Sequence, residues 1–328
     1  MNIHIRGTVE FEKTLSQKWS SSIECTRQRM ALQQLLDTLE SKEELEKRAK
    51  DYTKVVDKLL LHLSKNNATL VEQPNFEWSV GDDIIQTPCW KIESIMPRVV
   101  LAYLLHDNAV EQINESNFKN AHKLLLKSSK IHNEIENRLV MWKWKLPELN
   151  HFVLKRDWHS HRHYHLNGLA QLCTLCVGIQ NMSSSSILYT LSQRALKHFC
   201  KATAFWFFEE PKEHSYIPLA ESLRYFYSSE ILWARGQYGA SIHTLEHWLK
   251  PNHISTGPFQ LLQNELEKVP PLLHEKHTSN NGVYFEIISP ATPLPSPSEL
   301  IHTLESIDIP HPQEKQEGLE NHDDEPTP

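Results

Sequence analysis

Apolar residues recur along much of this chain at steps of three and four. Leu45, Ala49, Tyr52, Val56, Leu59 and Leu63 define one stripe, and Ala121, Leu124, Leu125, Ser128, Ile131, Ile135 and Leu139 define another. Such spacing predicts amphipathic helices over 45–63 and 117–139, with Asn117 as N-cap of the second. Further helices are predicted over 90–114, with Pro97 near its start, over 149–179 beyond Pro147, and over 187–206 after the turn of serines 183–186. A loop between Pro211 and Pro218 leads to a helical hairpin, 222–235 and 238–249. Gly236 stands at its two- or three-residue joint, where a left-handed cap is needed. Leu223, Tyr227, Ile231, Ile242 and Leu245 supply the apolar contact, and Ser228, Ser229, Ala234, Gly239 and Ala240 allow close approach. A last helix is predicted over 259–268.

Two stretches break the helical period. Ile3, Ile5, Val9 and Phe11 alternate with polar neighbours, which predicts a strand or extended arm over 1–11. Pro74, Gly81 and Pro88 predict a structured loop over 75–88 that carries Phe76 and Trp78 into the core. Near the other end, the string 281–286 reads as an extended strand closing the domain. Beyond Ser289 the prolines 290, 293, 295 and 297 and an acidic end predict loss of order. The apolar repeat has no fixed period along the whole chain, so a regular solenoid is excluded.

Composition narrows the function classes. With only 9 glycines in 328 residues, phosphate-cradling loops and β-rich folds are disfavoured. The net charge is −7, of which residues 311–328 carry −5. A nearly neutral body argues against nucleic-acid binding, and Lys143, Lys145, Lys155, Arg156 and Arg162 read more simply as a solvated face. Five cysteines, no signal-peptide layout and no long apolar run imply a cytosolic chain with reduced thiols, in which the sequons at Asn67, Asn114 and Asn181 carry no weight.

The densest candidate chemistry is His159, His161, His163 and His165, followed by Cys173-x-x-Cys176. His159 and His163 share a helical face, and the cysteine pair has a ligand spacing, so a zinc-binding protein is one alternative. Two buried thiols in an apolar helix explain the pair more simply. Trp142 and Trp144 mark a helix-to-loop junction and read as core or interface. Glu209, Glu210 and Glu213 read as a solvated turn, and no hydrolase, zincin or nucleotide-binding motif is present.

Several strings, taken in order, resemble the Bro (Bro-one) domain of Alix and of the fungal proteins PalA and PalC. Gly236-Gln237-Tyr238-Gly239-Ala240-Ser241-Ile242 is similar to the joint and second helix of the family's final hairpin. Asn281-Gly282-Val283-Tyr284-Phe285-Glu286, Ser289-Pro290 and Leu294-Pro295 resemble its closing strand and prolines, with Gly282 and Ser289 as departures. Ala170-Gln171, followed by Ile187-Leu188-x-x-Leu191, is spaced like a helix pair of Alix. The opening Gly7-Thr8-Val9-Glu10-Phe11, the Glu77-Trp78 stretch and the Ala121-x-x-Leu124-Leu125 helix look closest to the pH-response regulator PalC.

The resemblance implies an all-α, curved Bro-type scaffold with tetratricopeptide-like hairpins and a small N-terminal β element, over 1–300, and an acidic, Pro-containing disordered tail over 301–328. It implies a non-catalytic adaptor without cofactor or metal, whose groove receives the C-terminal helix of an ESCRT-III polymer subunit. Ile187 and Leu191 would line that groove, and Thr174 stands where Alix has a phenylalanine. Plain core packing is the competing reading of Ile187 and Leu191. PalC-like members imply ambient-pH signalling or endosomal sorting, with signalling-scaffold and protease components as further partners. They also imply a cytoplasmic protein held peripherally at endosomal or cortical plasma membrane. The remaining alternative is a generic tetratricopeptide-like peptide scaffold.

Overall fold

A three-stranded antiparallel sheet opens the computed structural model, which describes residues 3–14, 20–38, 41–65, 74–142, 151–205, 216–248 and 257–289. Strand β1 (Ile3–Arg6) pairs with β2 (Phe76–Val80), and β2 pairs with β3 (Asp83–Thr87). The register sets Ile5 opposite Trp78 and Trp78 opposite Ile85, and all three side chains are buried. Residues 75–88 are thus a hairpin rather than a loop. Gly81, at φ +62°, supplies the left-handed turn residue that a two-residue hairpin requires. Phe76 and Trp78 do enter the core, as their spacing in the sequence implies.

Helices make up the rest: α1 (Phe11–Thr14), α2 (Ser20–Thr38), α3 (Lys42–Lys65), α4 (Ile92–Asn114), α5 (Phe118–Met141), α6 (Arg156–Gln180), α7 (Ser185–Thr203), α8 (Ile217–Ala234), α9 (Tyr238–Trp248), α10 (Gln260–Glu267) and α11 (Val269–Ser279). From α3 to α9 each packs on its predecessor. All described residues fall within one compact unit, Met1–Ala291. The two long stripes bury as their period demands, with Leu45, Ala49, Tyr52, Val56 and Leu59 inward on α3 and Ala121, Leu125, Ile135 and Leu139 inward on α5.

Several boundaries differ from the sequence reading, each for a local reason. Helix α6 begins at Arg156, after a 3-10 turn over Phe152–Leu154. Pro218 lies in the first turn of α8, where its missing N–H costs nothing, so it does not bound a loop. Asn117 occupies the N-cap position of α5, but its side chain bonds Gln112 instead of an amide of the helix. Ser184 likewise precedes α7 without a side-chain cap bond.

The largest correction concerns 281–286. Residues Asn280–Tyr284 continue α11 as a π turn, and Phe285 then turns left-handed at φ +52°. Asn280 brackets this reversal. Its Nδ2 donates to Glu286 O at 2.8 Å, and its Oδ1 accepts from Glu286 N at 3.1 Å. The Glu286 carboxylate accepts from the Gly239 N–H at the start of α9, where the helix dipole favours an anion. With its polar backbone satisfied locally, the segment has no need of a strand partner. Trp144, Pro147, Trp206, Pro211, the glutamates 209, 210 and 213, and the tail beyond Ser289 lie outside the described residues.

Candidate functional site

Helix α6 is the middle of the layer α5–α6–α7 and holds most of the candidate chemistry. Its histidines point in different directions. His159 is fully buried and donates from Nε2 to Val153 O at 2.8 Å, which leaves Nδ1 as an acceptor for the Nδ1–H of His132, 2.9 Å away. Burial pushes the His159 imidazole down to about 3 and holds His132 well below the ordinary range, with neighbouring cations lowering both further. His161 donates to Ala202 O at 3.0 Å on α7. His163 meets the hydroxyl of Ser129 on α5 at 2.9 Å, and His165 packs among Phe199 and Tyr216.

Cys173 and Cys176 are buried in mid-helix, where desolvation raises the Cys173 thiol to about 12 and Cys176 further still. The His/Cys zinc group is therefore not assembled. Among the described residues no cluster of three or more His, Cys, Asp or Glu is placed to hold a metal ion. Each imidazole serves as a seam or core group instead. Of the basic group, Lys143 and Lys145 lie outside the described residues, Arg162 is buried over the Tyr103 ring and Arg156 pairs with Glu136. Trp142, at the end of α5, lies beneath Lys91 and Arg138.

Two glycines set the α6–α7 seam. A Cβ on Gly168 would meet the Phe199 ring at 2.5 Å, and one on Gly178 would meet Leu188 at 2.9 Å and Leu191 at 3.6 Å. These contacts run antiparallel, so Thr174 comes level with the Leu191–Ser192 turn of α7. On the other side, His122 of α5 reaches Ala170 O at 3.0 Å and the Thr174 hydroxyl at 3.1 Å. Thr174, Ile187 and Leu191 are all half-buried. Ile187 and Leu191, four residues apart, share one face of α7, with Leu191 near Gly178, while the Thr174 hydroxyl is held on the α5 side. The neighbouring Leu188 and Ser192 are among the buried residues of α7. Two cavities, of about 270 and 290 Å³, lie against β1, α3 and α4 and between α4 and α6 beside Tyr216 and Phe259.

Two buried polar centres escaped the sequence reading. Glu93 of α4 is fully buried and accepts from Trp78 Nε1 at 2.7 Å, Arg29 Nε at 3.2 Å and the Tyr52 hydroxyl. Arg29 also donates to Gly7 O at 2.9 Å, so one carboxylate joins β2, α2, α3 and the chain leaving β1. In the hairpin, Lys276 of α11 donates to Ser229 Oγ at 3.0 Å and Ser241 Oγ at 2.9 Å, and pairs with Glu230 at 2.8 Å. Its ammonium is pushed down by burial, and the two hydroxyls lie 2.8 Å apart. Two serines and a lysine could in principle activate a nucleophile. All three side chains are buried, so the cluster serves as a lock between α8, α9 and α11.

No family model and no curated protein matches the sequence. Solved structures do. The BRO1 domain of ALIX in its complex with CHMP4C superposes with a TM-score of 0.70 at 13% identity, covering 90% of this chain and 91% of that one. ALIX in complex with the SIVmac239 PYKEVTEDL late domain gives 0.68 at 13% identity over 90% of this chain, which spans 47% of that longer chain. A Bro1 domain solved as a basis for endosomal targeting gives 0.67 at 14% identity, covering 93% and 94%. Mostly helical, with a small three-stranded sheet at its N-terminal end, this chain has the Bro1-domain fold.

Proposed function

We propose that this chain is a non-catalytic adaptor whose α6–α7 seam receives the C-terminal helix of an ESCRT-III subunit. The observation that carries the reading is the half-buried pair Ile187 and Leu191, four residues apart on an open seam. A groove of this kind takes an amphipathic helix through anchors at i, i+3 and i+4. Support also comes from the fold, since one neighbour of the same architecture is described in complex with CHMP4C. Thr174 gives the seam a polar floor in place of an aromatic anchor. Ambient-pH signalling of the PalC-like kind is the proposed pathway, with signalling-scaffold and protease components as partners. The sequence strings quoted above support it. Recruitment to endosomal or cortical membrane would then be peripheral, and no helix among the described residues is long and apolar enough to cross a membrane.

Calorimetric titration of the full chain with the C-terminal helical peptide of CHMP4C tests this. Binding of about micromolar strength is expected, with loss in an Ile187→Asp, Leu191→Asp variant that keeps its helical circular dichroism. A wild-type protein that is folded and binds no such peptide would refute the adaptor reading.

A further inference from the structure

In the layer that carries the proposed groove, carboxylates are confined to one end, at Glu134 and Glu136 of α5 and Asp157 of α6. Residues 118–133 of α5, 158–180 of α6 and 185–203 of α7 contain no Asp or Glu, where the chain's 41 acidic residues in 328 would place about seven. Basic residues are abundant there, and two helical stripes carry most of them. On α7, Ile187, Leu191, Arg194, His198 and Lys201 follow one another at steps of four and three, a single helical face. On α5, Lys119, Lys123, Leu126 and Lys130 do the same, with Leu126 41% exposed.

Both stripes border the outward line of α6. His122 and Ser129 tie α5 to Ala170 and His163, while Tyr164 meets His198 and Lys201 of α7. Between the two stripes, Asn167, Gln171 and Thr174 of α6 are half-buried and form a recessed polar floor. Among the described residues no carboxylate pairs with Lys119, Lys123, Lys130 or Arg194. Like charges repeated without counter-charge cost solubility nothing but leave a field that favours an anionic partner.

We propose that the helix this face receives is acidic on both flanks of its apolar edge. The inference rests on the helix-in-groove reading above and names the charge pattern of the partner. Its apolar edge lies over Ile187, Leu191 and Leu126. Its carboxylates recur about every seven residues, two turns or about 10 Å apart, and so meet Arg194 and Lys201 on one side and Lys119, Lys123 and Lys130 on the other. Arg194 and Lys201, and likewise Lys123 and Lys130, are seven residues apart, a helical repeat that matches a rod bearing carboxylates every two turns.

The test uses the full chain and two designed amphipathic peptides of about 18 residues that differ only in Glu or Gln along both flanks. Fluorescence anisotropy should show the Glu peptide binding about tenfold more tightly at about 50 mM salt, with the gap closing toward unity near 300 mM. Lys123→Glu with Arg194→Glu should abolish the preference and leave the affinity for the Gln peptide unchanged. Equal affinities for the two peptides would overturn the inference. If the CHMP4C peptide still bound in that case, the adaptor reading would stand alone. Absence of binding by either peptide would overturn the inference too, and failure of the CHMP4C peptide as well would take the adaptor reading with it. No preference between the peptides, together with binding to vesicles of about 30% phosphatidylserine that the same reversals abolish, would overturn it in favour of a lipid surface.

Discussion

Glu93→Gln should be among the most damaging single substitutions in the N-terminal half. The change is nearly isosteric, so no cavity opens, and its effect is the removal of one charge. Arg29, only 1% exposed, would then remain as a guanidinium facing an amide. Breaking a buried ion pair from one side costs about 3–5 kcal/mol, because the surviving ion stays desolvated. A folded domain has about 5–15 kcal/mol in total, so the variant should stay folded at room temperature with little margin. For a domain of this size each kcal/mol moves Tm by about 2–4 °C, giving a fall of about 6–20 °C. Urea unfolding followed by far-ultraviolet circular dichroism measures it directly. The double variant Arg29→Met, Glu93→Gln should recover much of the loss, because it removes the orphaned charge as well as its partner. A loss below about 1 kcal/mol for Glu93→Gln alone would refute the argument that this carboxylate is desolvated and paired.

Three further outcomes follow from the same kind of reasoning. His132 and His159 are held neutral in the fold, so their contribution is complete above the ordinary histidine value near 6.5 and is lost as pH falls from there toward about 3. Each should cost about 2 kcal/mol between pH 6.5 and pH 5, read as a falling urea midpoint, and His132→Gln should flatten that dependence. Gly239→Ala would drive a methyl into the Ile287 carbonyl and should detach residues 280–289 from α9, with a loss of about 1–3 kcal/mol and faster proteolysis at Phe285. Among the thiols, exposed Cys200 should react with a maleimide in the native protein, whereas buried Cys25, Cys173 and Cys176 should react only after unfolding.

Elements that bury a simple apolar stripe were legible in the sequence, and those that bury polar groups were not. Helices α3 and α5 follow their apolar period closely. Helix α2 gives no such signal because its buried face includes Ser22, Thr26, Gln28 and Arg29, of which Thr26 and Arg29 pair with other parts of the fold. Thr26 takes the Phe11 amide and Arg29 takes Glu93 and Gly7. Helix α11 was hidden by Pro270 and Pro271, which read as breakers yet occupy its first turn. The reversal at 280–286 was misread because Val283, Tyr284 and Phe285 have strand propensity. Context overrides it, as Tyr284 stacks on Tyr238 at 3.6 Å and Asn280 closes the turn.

The rival metal site in α6 was the part of the candidate chemistry that the sequence alone could not decide. Four histidines in seven residues look like a metal site as a sequence, because ligand spacing is all that a sequence displays. Packing between α5 and α7 decides otherwise. A helix flanked on both sides has polar groups of its neighbours opposite it: His161 bonds a carbonyl of α7 and His163 a hydroxyl of α5, while His159 bonds His132 of α5 and the Val153 carbonyl of the turn before α6. Those bonds fix the ring directions apart, whereas a metal would need the rings to converge. Thr174 obeys the same rule through His122, yet it lies where the α6 line reaches solvent. One helix therefore does two things with its polar residues: those toward its neighbours hold the layer rigid, and those on the outward line form the floor of the proposed groove. Rigidity of that floor is what a helix-binding seam requires, since a partner that must also order its receptor binds less tightly.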